Sequence, residues 1–252
     1  MDRYEIPSHG QLTRFVQLQG GSDDIALSLQ PYSQLNLYCV EAEAGQRQVQ
    51  VDLAEGSRLC LVLLTLHEGR SRLRMHVSLR GCGAEVSLGG AVVGCGEMVA
   101  EQDLTVEHCA EGCRSEMLFK QVLGDRSRGY LSGRVLVDEG AQQSESEQTF
   151  ASLLTSGEAR AQALPQLEIY ADDVKCNHGA TVGKLDDDAL FYMRQRGIPE
   201  PEACLLLQHA FVEDVLLRIQ DEGHRAHFAA LVEQRFRGQQ SRCSVCQHSC
   251  KA

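Results

Sequence analysis

Leu73, Met75, Val77 and Leu79 alternate with Arg74, His76 and Ser78, the period-two pattern of a strand with one face buried. The same alternation marks Ile25-Leu27-Leu29, Leu35-Leu37-Cys39 and Val49-Val51-Leu53. Apolar runs at 118–123, 130–137 and 167–170 continue the series. Glycine and polar turns such as Arg80-Gly81-Cys82-Gly83 separate them. Strand centres recur about every 10–18 residues, which suits a sandwich, a barrel or a β-solenoid. No strict repeat chooses among the three.

After residue 185 the period changes to that of helices. Asp186 is placed to cap a helix whose first turn holds Asp187 and Asp188, with Arg194 and Arg196 in its last turn and Gly197 just beyond. Pro199-Glu200-Pro201-Glu202 opens a second helix, since proline costs nothing where N–H groups lack partners. Its apolar stripe runs through Cys204, Leu205, Leu207, Phe211, Val212, Val215, Leu216 and Ile219. Phe228, Leu231, Val232 and Phe236 mark a third helix. The expected organisation is a β body over 1–185, a helical cap over 186–238 and a Cys/His-rich tail over 239–252. Deletion of residues 199–252 is expected to leave the body folded.

Composition narrows the function classes. A net charge of −11 argues against binding nucleic acid or anionic lipid, both of which run on clustered Lys and Arg. The longest apolar run, around Leu59 to Leu66, is too short to span a membrane, and the first residues lack the pattern of a secretory signal. With eleven cysteines, an odd number and most of them scattered singly, reduced thiols in the cytoplasm are expected. No phosphate-cradling Walker motif is present, so the chain is not expected to be an ATPase.

The densest chemistry lies in Tyr170-Ala171-Asp172-Asp173-Val174-Lys175-Cys176-Asn177-His178-Gly179-Ala180-Thr181-Val182-Gly183. On an extended strand Cys176 and His178 share one face, a thiol and an imidazole suited to iron or zinc. Two ligands do not close a metal site, so by spacing alone a packed strand Cys and His is the simpler reading. Gly179 beside them admits the close approach of another chain. Asp172 and Asp173, adjacent and hence on opposite faces of a strand, read as turn residues rather than an acid pair. His108, Cys109 and Cys113 have loose ligand spacing and read as buried or turn groups.

The string YADDVKCNHGATVGKLDDDALFYMRQRGI closely resembles the signature of the SufB/SufD family of iron–sulfur cluster assembly proteins. The resemblance extends upstream through Gln121-Val122-Leu123-Gly124-Asp125-Arg126-Ser127-Arg128-Gly129 and Gly133-Arg134-Val135-Leu136-Val137, and covers about residues 73–236. It has the SufD form, with Gly179 where the SufB form carries glutamate. It implies a mainly β fold, a right-handed parallel β-helix core followed by a small C-terminal α-helical domain. It also implies a non-enzymatic scaffold that pairs through its β-helix end with a SufB-like subunit, or with a second copy as a homodimer. A SufC-like ABC ATPase is expected on the helices, at Leu205, Phe211, Val212, Val215 and Leu216. A transient iron–sulfur cluster is expected at the subunit interface, with His178 the first functional choice and Cys176 the second. Family members carry a longer N-terminal portion, including a helical domain, that this sequence largely lacks.

Outside that signature, Cys243, Cys246 and Cys250 with His248 have the donors and spacing to hold Zn or Fe. A stand-alone metal or cluster carrier loading at this tail is therefore an alternative function. A β-helix enzyme acting on carbohydrate is a weaker one, since Trp is absent and aromatics make up only 5% of the chain.

Overall fold

The computed structural model describes residues 2–238, and within them the chain winds into a parallel β-solenoid followed by three helices. Fourteen strands alternate between two sheets of seven. The odd sheet runs β1 (Asp2–Ile6), β3 (Gly21–Leu29), β5 (Gly45–Leu53), β7 (Arg70–Leu79), β9 (Val99–His108), β11 (Arg128–Val137) and β13 (Arg160–Ile169). The even sheet runs β2 (Gln11–Leu18), β4 (Gln34–Glu41), β6 (Arg58–Thr65), β8 (Glu85–Gly94), β10 (Arg114–Leu123), β12 (Glu145–Leu154) and β14 (Lys175–Lys184). Every pairing is parallel, each strand bonding to those one full turn before and after it. The turn length grows from Asp2↔Ile25 to Arg128↔Arg160, so the sequence shows no fixed period.

The alternating residues read from the sequence point inward. Leu27, Leu29, Val51, Leu53, Leu73, Met75, Val77 and Leu79 form one core with Leu59, Leu61, Leu88 and Phe119 of the facing sheet. Tight corners turn one sheet into the other. Gly56, Gly83, Gly96 and Gly112 take positive φ there, a conformation glycine adopts without steric cost. Gly90 is glycine for a different reason: a Cβ would lie 2.2 Å from the Phe119 ring, the chain's close approach to a large interior side chain.

The helices begin and end as the capping residues dictate. In α1 (Asp187–Gln195), Asp186 accepts from the Asp188 and Ala189 amides, and Gly197 follows the helix with φ +84°. α2 (Glu200–Leu216) carries proline in its first turn, and Asp221 caps α3 (Glu222–Phe236) through the His224 amide.

α2 and α3 lie against the outer face of the even sheet rather than on its end. Val212, Val215, Leu216, Ile219, Phe228, Leu231 and Val232 pack onto Tyr38, Val40, Val62, Leu64, Leu66, Ala91 and Val93. The apolar run around Leu59 to Leu66 is thus buried on both faces, between the solenoid interior and the helices. The helices therefore share a core with the β body. α1 buries no residue, and Phe191 and Tyr192 on it are 62% and 59% exposed.

Candidate functional site

The solenoid is open at its last turn. Leu131 and Val135 on β11 and Ser146 and Gln148 on β12 are fully buried. One rung further, in the same columns, Ala163, Leu167 and Cys176 are only partly buried, and His178 is exposed. Among the described residues nothing stacks on the outer edge of β13 or β14, so these two strands form a mouth with a free hydrogen-bonding edge. Leu164, Ile169, Tyr170 and Val182 add large exposed apolar groups around it.

Cys176 and His178 lie on β14 in register with Ser146 and Gln148, whose side chains face the interior. They therefore share the inward face, about 7 Å apart along the strand. Cys176 packs against the interior core; burial pushes its thiol pKa up, and a hydrogen bond with the Ser146 backbone pulls partway back. Gly179 sits between open spaces, with no atom within 4 Å of where a Cβ would stand. A thiol and an imidazole side by side at an uncapped edge can each give one bond to a soft or borderline metal ion, leaving other positions for donors from another molecule.

Toward this mouth the interior changes character. One inward column of the even sheet reads Leu35, Leu59, Val86, Ser115, Ser146, Cys176, and the next reads Leu37, Leu61, Leu88, Met117, Gln148, His178. Leucine and valine give way to hydroxyl, amide, thiol and imidazole over the last rungs. In the first column a hydrogen-bonded row runs inward: Ser115 Oγ donates to Ser146 Oγ at 2.9 Å, and His108 Nε2 meets Ser115 Oγ at 2.8 Å. In the second, Gln148 is wholly buried and neither amide atom has a partner among the described residues. Sequence reasoning missed Gln148 and Ser146 because Glu145-Ser146-Glu147-Gln148 is polar on both faces and shows no alternation. The signal becomes visible only once the turn of the solenoid aligns Gln148 with His178.

The other sequence candidates fall elsewhere. Val212 and Val215 are 0% exposed and Leu216 1%, all packed against the sheet, so in this conformation they face inward rather than toward a partner. Leu205 and Phe211 are half-buried, and the Lys120 ammonium lies 4.8 Å over the Phe211 ring. Asp172 and Asp173 lie in the turn before β14, where the Asp173 backbone bonds Gln143 and the Gln142 side chain. The eight described cysteines are free thiols. Cys113 and His108 are buried; Cys109 lies outside the core, with ligand atoms of Glu107 and Asp138 all within 4.8 Å of one another and of its sulfur. A groove of about 570 Å³ lies on the outer face of the even sheet, lined by Arg58, Glu85, Arg114 and Glu145. Those charges pair with one another, Arg58 with Glu85 and Arg114 with Glu145. Cys243, Cys246, His248 and Cys250 lie outside the described residues.

These features define a class: a parallel β-solenoid that presents soft metal donors at an uncapped end and carries helices on its flank. Residues 24–211 match the family model for the SUF system FeS cluster assembly SufBD core domain. The iron–sulfur cluster assembly protein SufD of Escherichia coli is 38% identical over 133 residues, which is 53% of this chain and 31% of that protein. SufD of Bacillus subtilis is 28% identical over 179 residues, 71% of this chain and 41% of that protein. A SufBD family protein of Synechocystis is 30% identical over 66% of this chain and 37% of its own length. This chain belongs to the SufBD family of iron–sulfur cluster assembly proteins, and within it is most like SufD. It spans well under half the length of these curated relatives. Among the described residues no helix is long and apolar enough to cross a membrane.

Proposed function

We propose that this chain is a non-catalytic scaffold subunit of a cytoplasmic SUF-type assembly complex, in which the mouth formed by β13 and β14 docks on a SufB-like subunit. His178, supported by Cys176, supplies a protein ligand to the iron–sulfur cargo as it forms between the two subunits. One observation carries this reading: the Cys and His of the family signature occupy the inward face of the last, uncapped strand. A donor pair there is incomplete until another chain closes it, which is what a transient cargo requires.

The helices carry the ATPase-binding surface. Its contact residues are Leu205 and Phe211 together with the exposed Phe191, Tyr192 and Leu206, because Val212, Val215 and Leu216 hold the helices to the sheet. Closure of an ATPase dimer on those helices would reach the sheet through this shared core.

Co-expression with the SufB-like and SufC-like proteins of the same organism tests the reading. Wild-type chain is expected to co-purify with both and to yield cluster. His178→Ala is expected to keep the complex and its thermal stability, since the side chain is exposed, while cluster yield collapses. A variant that melts lower or fails to assemble, yet builds cluster in whatever complex forms, would show His178 to be structural.

A further inference from the structure

We propose that Gln148 is a positioning residue for His178, an inference that rests on the reading of His178 given above. Gln148 stands one rung inside the mouth, next in register to His178 on the same inward face. Its side chain is 0% exposed, and neither Oε1 nor Nε2 has a hydrogen-bond partner among the described residues. Folded chains rarely leave a buried primary amide unmatched at both ends. Here it interrupts a column that is otherwise Leu37, Leu61, Leu88 and Met117.

Its surroundings leave few groups for it to meet. The amide reaches across the interior to β11, where Gly133 makes room: a Cβ at that position would lie 2.2 Å from Nε2. The rung beyond Gly133 on that sheet is Pro165, which has no N–H to offer. The rung beyond Gln148 on its own sheet is His178, about 4.8 Å away in the hydrogen-bonding direction. The neighbouring column differs, because Ser146 beneath Cys176 is already bonded inward to Ser115. Among the buried side chains without partners, which include Gln102 on β9, Gln148 is the one in register with His178 on the neighbouring strand and free to engage its imidazole. An amide bonded to one ring nitrogen fixes the tautomer and aims the other nitrogen outward, where a metal ion would be met.

The full-length chain labelled with ¹⁵N-histidine gives a readout independent of activity. Long-range proton–nitrogen spectra, with His178 assigned by its loss in His178→Gln, report which ring nitrogen carries the proton. Wild type is expected to show one dominant His178 tautomer. Gln148→Leu and Gln148→Met place an apolar side chain in an apolar column and are expected to keep the fold. In both, the His178 resonances should move to the mixed values of a free imidazole while other histidines stay put. Cluster yield in the co-expressed complex should fall roughly tenfold. His178 resonances unchanged in both folded variants would overturn the positioning role, whatever the cluster yield. Tautomer loss with full cluster yield would confirm the positioning and refute the functional reading of His178 instead.

Discussion

Arg235 on the last helix donates from Nη2 to the backbone carbonyl of His67, 3.1 Å away and 168 residues earlier in the chain. Its other nitrogens meet the Val93 carbonyl and the Glu68 carboxylate. A guanidinium that is 6% exposed thus ties α3 to two corners of the solenoid at once. Arg235→Met keeps much of the apolar stem and removes these bonds. It is expected to cost about 2–3 kcal/mol, read as a lower urea midpoint at unchanged slope.

Acid is expected to weaken the fold through two buried imidazoles. Burial lowers the pKa of His67 and of His108 to about 4, with Arg235 and Arg47 adding to the effect at His67. In the unfolded chain both titrate near the usual value of about 6.5. Above that pH neither state takes the proton and stability is unaffected. Between it and about 4 the unfolded state binds protons the folded state refuses, so stability falls as pH falls. The ceiling is about 3 kcal/mol for each group. Urea midpoints at several pH values should show this slope in wild type and a shallower one in His108→Gln.

Gly90→Ala is expected to destabilise the chain by about 1–3 kcal/mol, because the new methyl meets the Phe119 ring at 2.2 Å in a packed interior. Phe119→Leu in the same chain should recover part of the loss. Thermal melts of the two single variants and the double variant give the coupling directly.

Truncation after residue 198 is expected to yield an aggregating chain rather than a free β body. It uncovers Tyr38, Val62, Leu64, Leu66, Ala91 and Val93 together, a continuous apolar sheet face. Strong binding of an apolar dye and loss of monomer on size exclusion are the expected results. Docking on the helices is better tested by Phe191→Glu or Leu206→Glu, which alter exposed side chains and should reduce ATPase co-purification without lowering stability.

The parts of the fold that the sequence made legible are those where one face is wet. Leu73 to Leu79 alternates because its outward residues Arg72, Arg74 and His76 reach solvent, and its strand was readable from that alone. Asp186 and Gly197 bounded α1 for equally local reasons. What alternation could not decide was how strands are joined: Val77 and Val106 are neighbours because of a whole intervening turn of chain, and that turn varies in length. The flank of the even sheet was hidden for a related reason. Val62 and Leu64 face outward but are covered by Val215 and Leu216, which the helical stripe alone would equally well have offered to a partner. At the site, Cys176 and His178 could be placed on one face from spacing, and the family signature drew attention to them. Gln148 could not, since a buried amide and an exposed one look alike until the register is known.

A stack of rungs held only by its neighbours melts from its ends, and among the described residues β14 has a single strand neighbour, β12. Its backbone amides, including that of His178, are expected to exchange hydrogen for deuterium by an opening of low free energy, well ahead of β6 and β8 in the middle of the sheet. The strand that carries His178 can then peel, rebond or accept a foreign strand while the remaining rungs stay closed. The site proposed here to receive and release cargo gains a way to change shape from its position at the end of the stack.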